Sequence, residues 1–407
     1  MPHSEIPCPP SRQPLAYDLV ILTYKIRVQA DSRAHRQLSL ALEHSRLLYN
    51  AALEERIGAW RSCGKRLGLY DQYKALTELR RDISFAEYPV TLQRWPLKRL
   101  DLAFKGFLSR VAKGQAPGFP RFRSAQFWRT FGFSHTAGWK LTGRRLYLRG
   151  VGALRLKPHR PLDLQPKSLS IKCQGRRWFA LISYEVSCEQ VHAGTQAVGL
   201  DLGLTDFAVL SNGEIVANPR EERKRHAKAV RIQQDLARAK RGSKARERLK
   251  LRYARLRQKE TNARNTFLHQ TSARIARTYA TIAVEALQVA NLRRSAKGTP
   301  ESPGRGLRQK AGLNRSIADA GWGQFIKYLT YKAERAGGSV VQVNPAYTSQ
   351  DCSGCGHRAP KPLAQREHVC SACGLRLGRD ENAARNILAR GVVVPAGRSS
   401  PALEMAA

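Results

Sequence analysis

The sequence predicts a multidomain α/β protein, and three observations carry that expectation. At 407 residues with 42% hydrophobic side chains, the chain has material for several buried cores. Its N-terminal half alternates long amphipathic helical stretches with short β-rich runs, and from residue 197 onward strands and helices alternate. Near the C-terminus two CxxC pairs interrupt that alternation just before its last helix.

Charge narrows the class of partner. Lys and Arg number 71 against 31 Asp and Glu, a formal net charge of +40. A compact fold with that much like charge repels itself unless a polyanion neutralises it, so nucleic acid is the expected partner. An anionic membrane surface is the alternative, but no run of about 18 apolar residues is present, and no signal peptide. The reading is a cytoplasmic protein of a prokaryote, associated with nucleic acid and not with a membrane.

The elements follow in order. Residues 1–16 are Pro-rich and read as a disordered extension; YDLVILTYKIRV (17–28) reads as a strand. Asp31 or Ser32 can cap the next helix, which carries Leu38, Leu42, Tyr49, Leu53, Ile57 and Trp60 on one stripe and ends near Gly64. A second helix is expected over 97–112, then a loop, GQAPGFPRFRSAQFWRTFGFS, that mixes Arg with Phe and Trp. LYLRGVGALRL, SLSIKC and WFALISYEV read as strands of a small β domain. From 197, AVGLDLGLTDFAVLSNGEIV gives two strands, an Asn-Gly turn and a third strand. A basic helical hairpin over 219–278, broken at Arg241-Gly242-Ser243, leads to the strand TIAVEAL. A Pro/Gly/Ser-rich loop (293–312), a helix around GWGQFIKYLTYKAERAGG, the strand SVVQV, the cysteine segment and a helix from Asp380 complete the series. Residues after about 394 read as a tail.

The cysteine segment, Cys352-x2-Cys355-x14-Cys370-x2-Cys373, can close four thiolates around one ion, with Gly356 and Gly374 permitting tight turns. Structural zinc is the expectation, against an iron–sulfur cluster or a redox dithiol. Cys8, Cys63, Cys173 and Cys188 stand alone and read as ordinary thiols.

In so basic a chain the placement of acids is informative. Asp201 sits in the apolar strand VGLDLG, Glu285 ends the strand TIAVE, and Asp380 opens the last helix. Singly, each has a plain alternative: a turn residue, an exposed strand end, and an N-cap. Together they fall where the element order of an RNase H-like fold brings the first strand, the fourth strand and the last helix side by side. Three such carboxylates can hold two Mg2+ ions about 4 Å apart, the arrangement for phosphodiester hydrolysis. On that view the cysteine segment is an insertion, and Asp380 is where the nuclease domain resumes.

GLDLGLTDFAVLSNG, AVEALQVANL, AGWGQFIKYLTYKAERAGG, YTSQDCSGCG, CSACG and RDENAARNIL resemble TnpB, the transposon-associated RNA-guided nuclease. They resemble equally its descendants, the miniature type V CRISPR effectors. YNAALEERI and GFPRFR extend the similarity toward the N-terminus. The resemblance implies a RuvC nuclease domain (193–346 and 376–394) with a lid loop at 293–312 and a zinc-binding target-loading module at 347–375. It further implies a β-barrel-like wedge domain (17–30 and 126–192) and a helical recognition domain (31–125), with a disordered tail at 395–407. Asp201, Glu285 and Asp380 become its RuvC carboxylates and Cys352, Cys355, Cys370 and Cys373 its zinc ligands. The chain departs from the pattern at Gly378, often acidic in the family, and at IRVQADS, where a Tyr-Pro start is usual.

The implied activity is Mg2+-dependent cleavage of double-stranded target DNA, directed by a guide RNA and a short target-adjacent motif, by one protein per RNA. Two other readings use the same residues: a guide-dependent repressor that binds without cutting, and an RNase H-type DNA transposase. All three acids are present, against the first, and no end-binding helix-turn-helix is recognisable, against the second. Candidate contacts to nucleic acid are Tyr70 and Gln93 at the flanking duplex, Arg121 and Arg123 in the aromatic loop, and Arg223, Arg225, Arg231, Lys250 and Arg257 on the basic hairpin.

Overall fold

A computed structural model describes residues 19–82, 85–175, 177–187, 196–296, 298, 304–362 and 364–392. The expected N-terminal extension and C-terminal tail lie outside the described residues, as does part of the expected lid loop. The chain divides at Ser187 and Cys188 into two compact units. No helix among the described residues is long and apolar enough to cross a membrane.

The first unit contains β1 (Leu19–Gln29), α1 (Ser32–Cys63), α2 (Leu69–Leu79), α3 (Val90–Ala112), β2 (Thr130–Gly132), β3 (Trp139–Thr142), β4 (Arg145–Leu148), β5 (Gly152–Lys157), β6 (Pro166–Gln174) and β7 (Arg177–Ser187). Its strands form one antiparallel sheet in the order β2-β6-β7-β1-β5-β4-β3. Ile26 and Val28 of β1 face a core with Leu146, Leu148, Ile171 and Ile182, as strand alternation requires. The Asp31 carboxylate accepts from the Ala34 amide at 2.7 Å to start α1, and Gly64 (φ 62°) ends it. Tyr49 and Leu53 of α1 meet Leu76 of α2 and Leu97 and Leu100 of α3 in a second core.

One expectation changes here, and one helix lies where none was expected. The second predicted helix begins at Val90 rather than 97 and carries Pro96 inside it. The helix α2 was not legible, because it starts from Gly68, whose amide is held by the Asp71 carboxylate rather than by an N-cap side chain.

The second unit contains β8 (Ala197–Leu202), β9 (Asp206–Leu210), β10 (Ile215–Ala217), α4 (Glu221–Arg238), α5 (Lys244–Thr278), β11 (Thr281–Glu285), α6 (Val289–Leu292), α7 (Leu307–Ala320), α8 (Trp322–Arg335), β12 (Ser339–Val343), β13 (Glu367–Val369), β14 (Arg376–Gly378) and α9 (Arg379–Val392). The sheet order is β10-β9-β8-β11-β12, antiparallel among the first three and parallel across β8, β11 and β12. Phe207, Phe325, Leu268, Ile275 and Leu329 fill the core between sheet and helices. The segment expected as loop over 293–312 becomes helical from Leu307, so α7 takes its last third.

Candidate functional site

The site is set by how closely α9 lies on the sheet. A Cβ at Gly199 would come within 2.1 Å of the Ala384 carbonyl, and one at Gly391 within 2.4 Å of the Ala283 Cβ. Gly199 and Ala283 are register partners on the parallel strands β8 and β11, so both point at α9. Two residues further along each strand, on the same face, come Asp201 and Glu285. One helical turn before Ala384 comes Asp380, which α9 carries back over that end of the sheet. The three acids therefore converge from two adjacent strands and one helix.

Their electrostatics agree. The Asp201 carboxyl is pushed up to about 7, first by burial, then by the charges of Glu285 and Asp380, with Arg379 opposing. Burial also raises Glu285, while a hydrogen bond from the Thr348 hydroxyl (2.6 Å) and the charge of Arg390 pull it down. A carboxylate cluster in which one member resists ionisation is suited to receiving hard cations. One ion held by all three acids would need oxygens within about 4.2 Å of each other, whereas two ions about 4 Å apart spread the ligands wider. Among the described residues, only the four cysteines form a group whose ligand atoms all lie within 4.8 Å, so the three acids are not closed around a single ion.

The cysteine site is a closed one. Cys352 Sγ lies 3.7 Å from Cys373 Sγ, and Cys355 Sγ lies 3.6 Å from Cys370 Sγ. Sulfurs about 2.3 Å from a tetrahedral zinc ion are about 3.8 Å apart, whereas a disulfide would bring them to about 2.05 Å. The two halves repeat one another. Cys352 N donates to His357 O and Cys370 N to Leu375 O, while Gly356 N and Gly374 N donate back to Cys352 O and Cys370 O. Gly356 (φ 77°) and Gly374 (φ 73°) adopt the left-handed turns expected of them. The four thiols can hold a metal such as zinc.

Sequence reasoning missed what joins this module to α9. Asn382, fully buried, donates to Asp351 O (2.8 Å) and accepts from Ser353 N (2.9 Å). One turn later Asn386 donates to Thr348 O and Asp351 O, and Arg390 to Asn344 O, Ala346 O and the Asp351 carboxylate. The usable signal was the spacing: Asn382, Asn386 and Arg390 recur every four residues and form one polar stripe on a helix.

The candidate nucleic-acid contacts divide. Tyr70 is 79% exposed at the start of α2. Gln93 is fully buried, with its amide donating to Phe85 O and its oxygen accepting from Arg80, so it is a structural residue of α3 and cannot reach a base. Arg121 and Arg123 are exposed. Asn50 clamps the Arg123 backbone in both directions, at 2.8 and 3.0 Å, which ties YNAALEERI to GFPRFR. On the hairpin, Arg223, Arg231 and Lys250 are exposed. Arg225 is bound instead to Glu221 within α4, and Arg257 to Glu260 and the Tyr253 ring within α5, so the charge of each is already paired on its own helix.

Fold and sites define an α/β protein with a carboxylate cluster on its sheet and a four-cysteine module inserted before the last helix. Profiles of known families match two stretches: the Cas12f1-like TNB domain over residues 322–387, and OrfB_IS605, described as a probable transposase, over 181–296. InsQ of Escherichia coli K12, named an RNA-guided DNA endonuclease, is 35% identical over 302 residues, which are 73% of this chain and 73% of InsQ. A Streptomyces pristinaespiralis protein of the same description is 31% identical over 92% of this chain and 90% of its own. Among solved structures, the protein of a Cas12f1–sgRNA–target DNA complex shares the fold, with a TM-score of 0.50 at 13% identity over 91% of this chain and 98% of its own. The chain belongs to the TnpB family, to which the miniature type V effectors are related.

Proposed function

We propose that this protein is an RNA-guided DNA endonuclease in which Asp201, Glu285 and Asp380 bind Mg2+ and form a single nuclease site. The observation that carries the reading is the convergence of these three acids on one face of the sheet, with Asp201 central enough for both others to raise its pKa. Its relatives' names supply the substrate class. Bound there, a pair of Mg2+ ions would activate water and stabilise the leaving 3′ oxygen.

The chain's own residues prepare that site. β8 and β11 hold Asp201 and Glu285 in register, and α9, pressed onto Gly199, fixes Asp380. Cys352, Cys355, Cys370 and Cys373 would hold zinc, which would keep residues 347–375 folded as the target-loading module. The exposed Arg223, Arg231 and Lys250 of the hairpin, and Arg121 and Arg123 of the aromatic loop, hold phosphate, while guide pairing reads sequence. The first unit supplies the wedge sheet and recognition helices, one protein per RNA, acting in a prokaryotic cytoplasm.

The test is co-expression with the native flanking DNA, sequencing of co-purified RNA, and challenge of a plasmid library with randomised flanks. The expected result is one discrete RNA and target cleavage that requires Mg2+ and is lost in Asp201→Ala. Guided binding without cleavage would favour a repressor, and no bound RNA would favour a transposase.

A further inference from the structure

We propose that Thr348 is a positioning residue that fixes the Glu285 carboxylate and so ties the nuclease site to the cysteine module. The inference rests on the reading of Glu285 as a metal ligand. Thr348 Oγ1 lies 2.6 Å from Glu285 Oε1 and 3.1 Å from Pro345 O. A hydroxyl has one proton to give, and the nearer, charged acceptor takes it. At 4% exposure, Thr348 has no water to exchange this bond with. The bond occupies one lone pair of Oε1 and sets the plane of the carboxylate, while the remaining lone pairs stay available to a cation.

The donor itself is held from both sides. Tyr347, before it, adopts the left-handed region (φ 63°), and its carbonyl accepts from Gln350 N and Asp351 N, both at 2.9 Å. Such a conformation in an aromatic residue persists only where the surroundings impose it. Arg390 of α9 grips Ala346 O at 2.7 Å, and Asn386 grips Thr348 O at 2.9 Å. Four residues on comes Cys352, the first ligand of the module. The turn Ala346–Asp351 thus reaches Glu285 at one end and the thiolate knot at the other. Glu285 ends β11, where a side chain has rotamers to lose, and Thr348 removes that freedom before a cation arrives.

The test compares full-length, RNA-free wild type with Thr348→Val, Thr348→Ala, Thr348→Ser and Glu285→Gln. Mn2+ is the probe, and free Mn2+ is read by electron paramagnetic resonance; melting temperature and bound zinc serve as controls for folding. Glu285→Gln is expected to weaken Mn2+ binding. Thr348→Val is expected to weaken it about 10–100-fold, and Thr348→Ser to restore it to within about 3-fold. In the guided complex, Thr348→Val should raise the metal concentration for half-maximal cleavage by the same factor, with the rate at saturating metal within about 3-fold of wild type. Thr348→Ala keeps the donor absent with no added methyl in the pocket, should the valine variant fold poorly. If Glu285→Gln loses Mn2+ while Thr348→Val and Thr348→Ala bind it normally, the positioning role is wrong and the nuclease reading survives. If Glu285→Gln binds Mn2+ as wild type does, Glu285 is no ligand and both readings fall.

Discussion

Replacing Asp201 by Asn should make the metal-free protein more stable, although it removes a residue at the centre of the proposed nuclease site. The wild-type carboxyl titrates near 3.8 when unfolded and about 7 when folded, because burial and two neighbouring carboxylates oppose its charge. Below about pH 4 it is protonated in both states and costs nothing. Between about pH 4 and 7 the unfolded chain gives up its proton while the folded protein retains it. The stability that the neutral form contributes is therefore lost progressively, and fully above about pH 7. A difference of about 3 units corresponds to about 4 kcal/mol, and residual exposure of Asp201 reduces this to about 2–4 kcal/mol. Asparagine keeps the shape and never ionises, so at pH 8 in EDTA the variant should melt about 5–15 °C higher, with the gap closing below pH 4. Millimolar Mn2+ should then reverse the order, since a bound cation stabilises only the protein that retains its ligand. Thermal melts in EDTA and in Mn2+ at pH 4, 6 and 8 decide the matter. An Asn variant equal to or less stable than wild type at pH 8 in EDTA would show that Asp201 is not strained by its neighbours.

Other consequences are as specific. Glu285→Gln and Asp380→Asn should each lower guided cleavage by at least ~100-fold at saturating Mg2+, with RNA binding unchanged in a filter assay. Cys355→Ser should release about one zinc per chain and destabilise the second unit, measured by metal analysis and proteolysis at the 347–375 segment. RNA affinity should fall steeply between 50 and 200 mM salt; Arg223→Gln, Arg231→Gln and Lys250→Gln should each flatten that slope by about one, whereas Arg225→Gln and Arg257→Gln should lower melting temperature instead. Gly199→Ala should cost stability and activity together, because a methyl has no room beneath the Ala384 carbonyl; normal activity would mean α9 can lift without harm.

The second unit was more legible in sequence than the first, for a physical reason. Its strands AVGLDL and TIAVE are buried on both faces, so their apolar runs are unambiguous, and its acids stand out against a background of Lys and Arg. α2 carries Leu69, Tyr73 and Leu76 at helical spacing, but its start at Gly68 offers no N-cap side chain to mark it. Gln93 shows the limit from the other side. A glutamine on a helix reads as polar and available, but its partners Arg80, His44 and Phe85 come from three other elements, and only the packed structure brings them around it. Arg225 and Arg257 fail similarly: each looked like one more surface cation, yet each lies within a helical turn of a glutamate that takes its charge.

The position of the cysteine module follows from what α9 must do. Asp380 lies in the first turn of that helix, where ends fray and no neighbouring turn holds the backbone. In the proposed role of metal ligand, Asp380 must be held to within about half an ångström. The sheet supplies that restraint one turn further along, at Ala384 and again at Gly391. The module adds to it at the first residues: Arg379 N donates to Arg366 O at 2.8 Å, and its guanidinium reaches Pro362 O. Asn382, Asn386 and Arg390 bind the turn that precedes Cys352. Each of these bonds is worth about 1 kcal/mol, and none would order so polar a segment alone. A closed tetrathiolate metal site contributes roughly 10–16 kcal/mol, enough to fold the segment and make the bonds available together. Placed directly before α9, the insertion makes those bonds to the helix that carries Asp380.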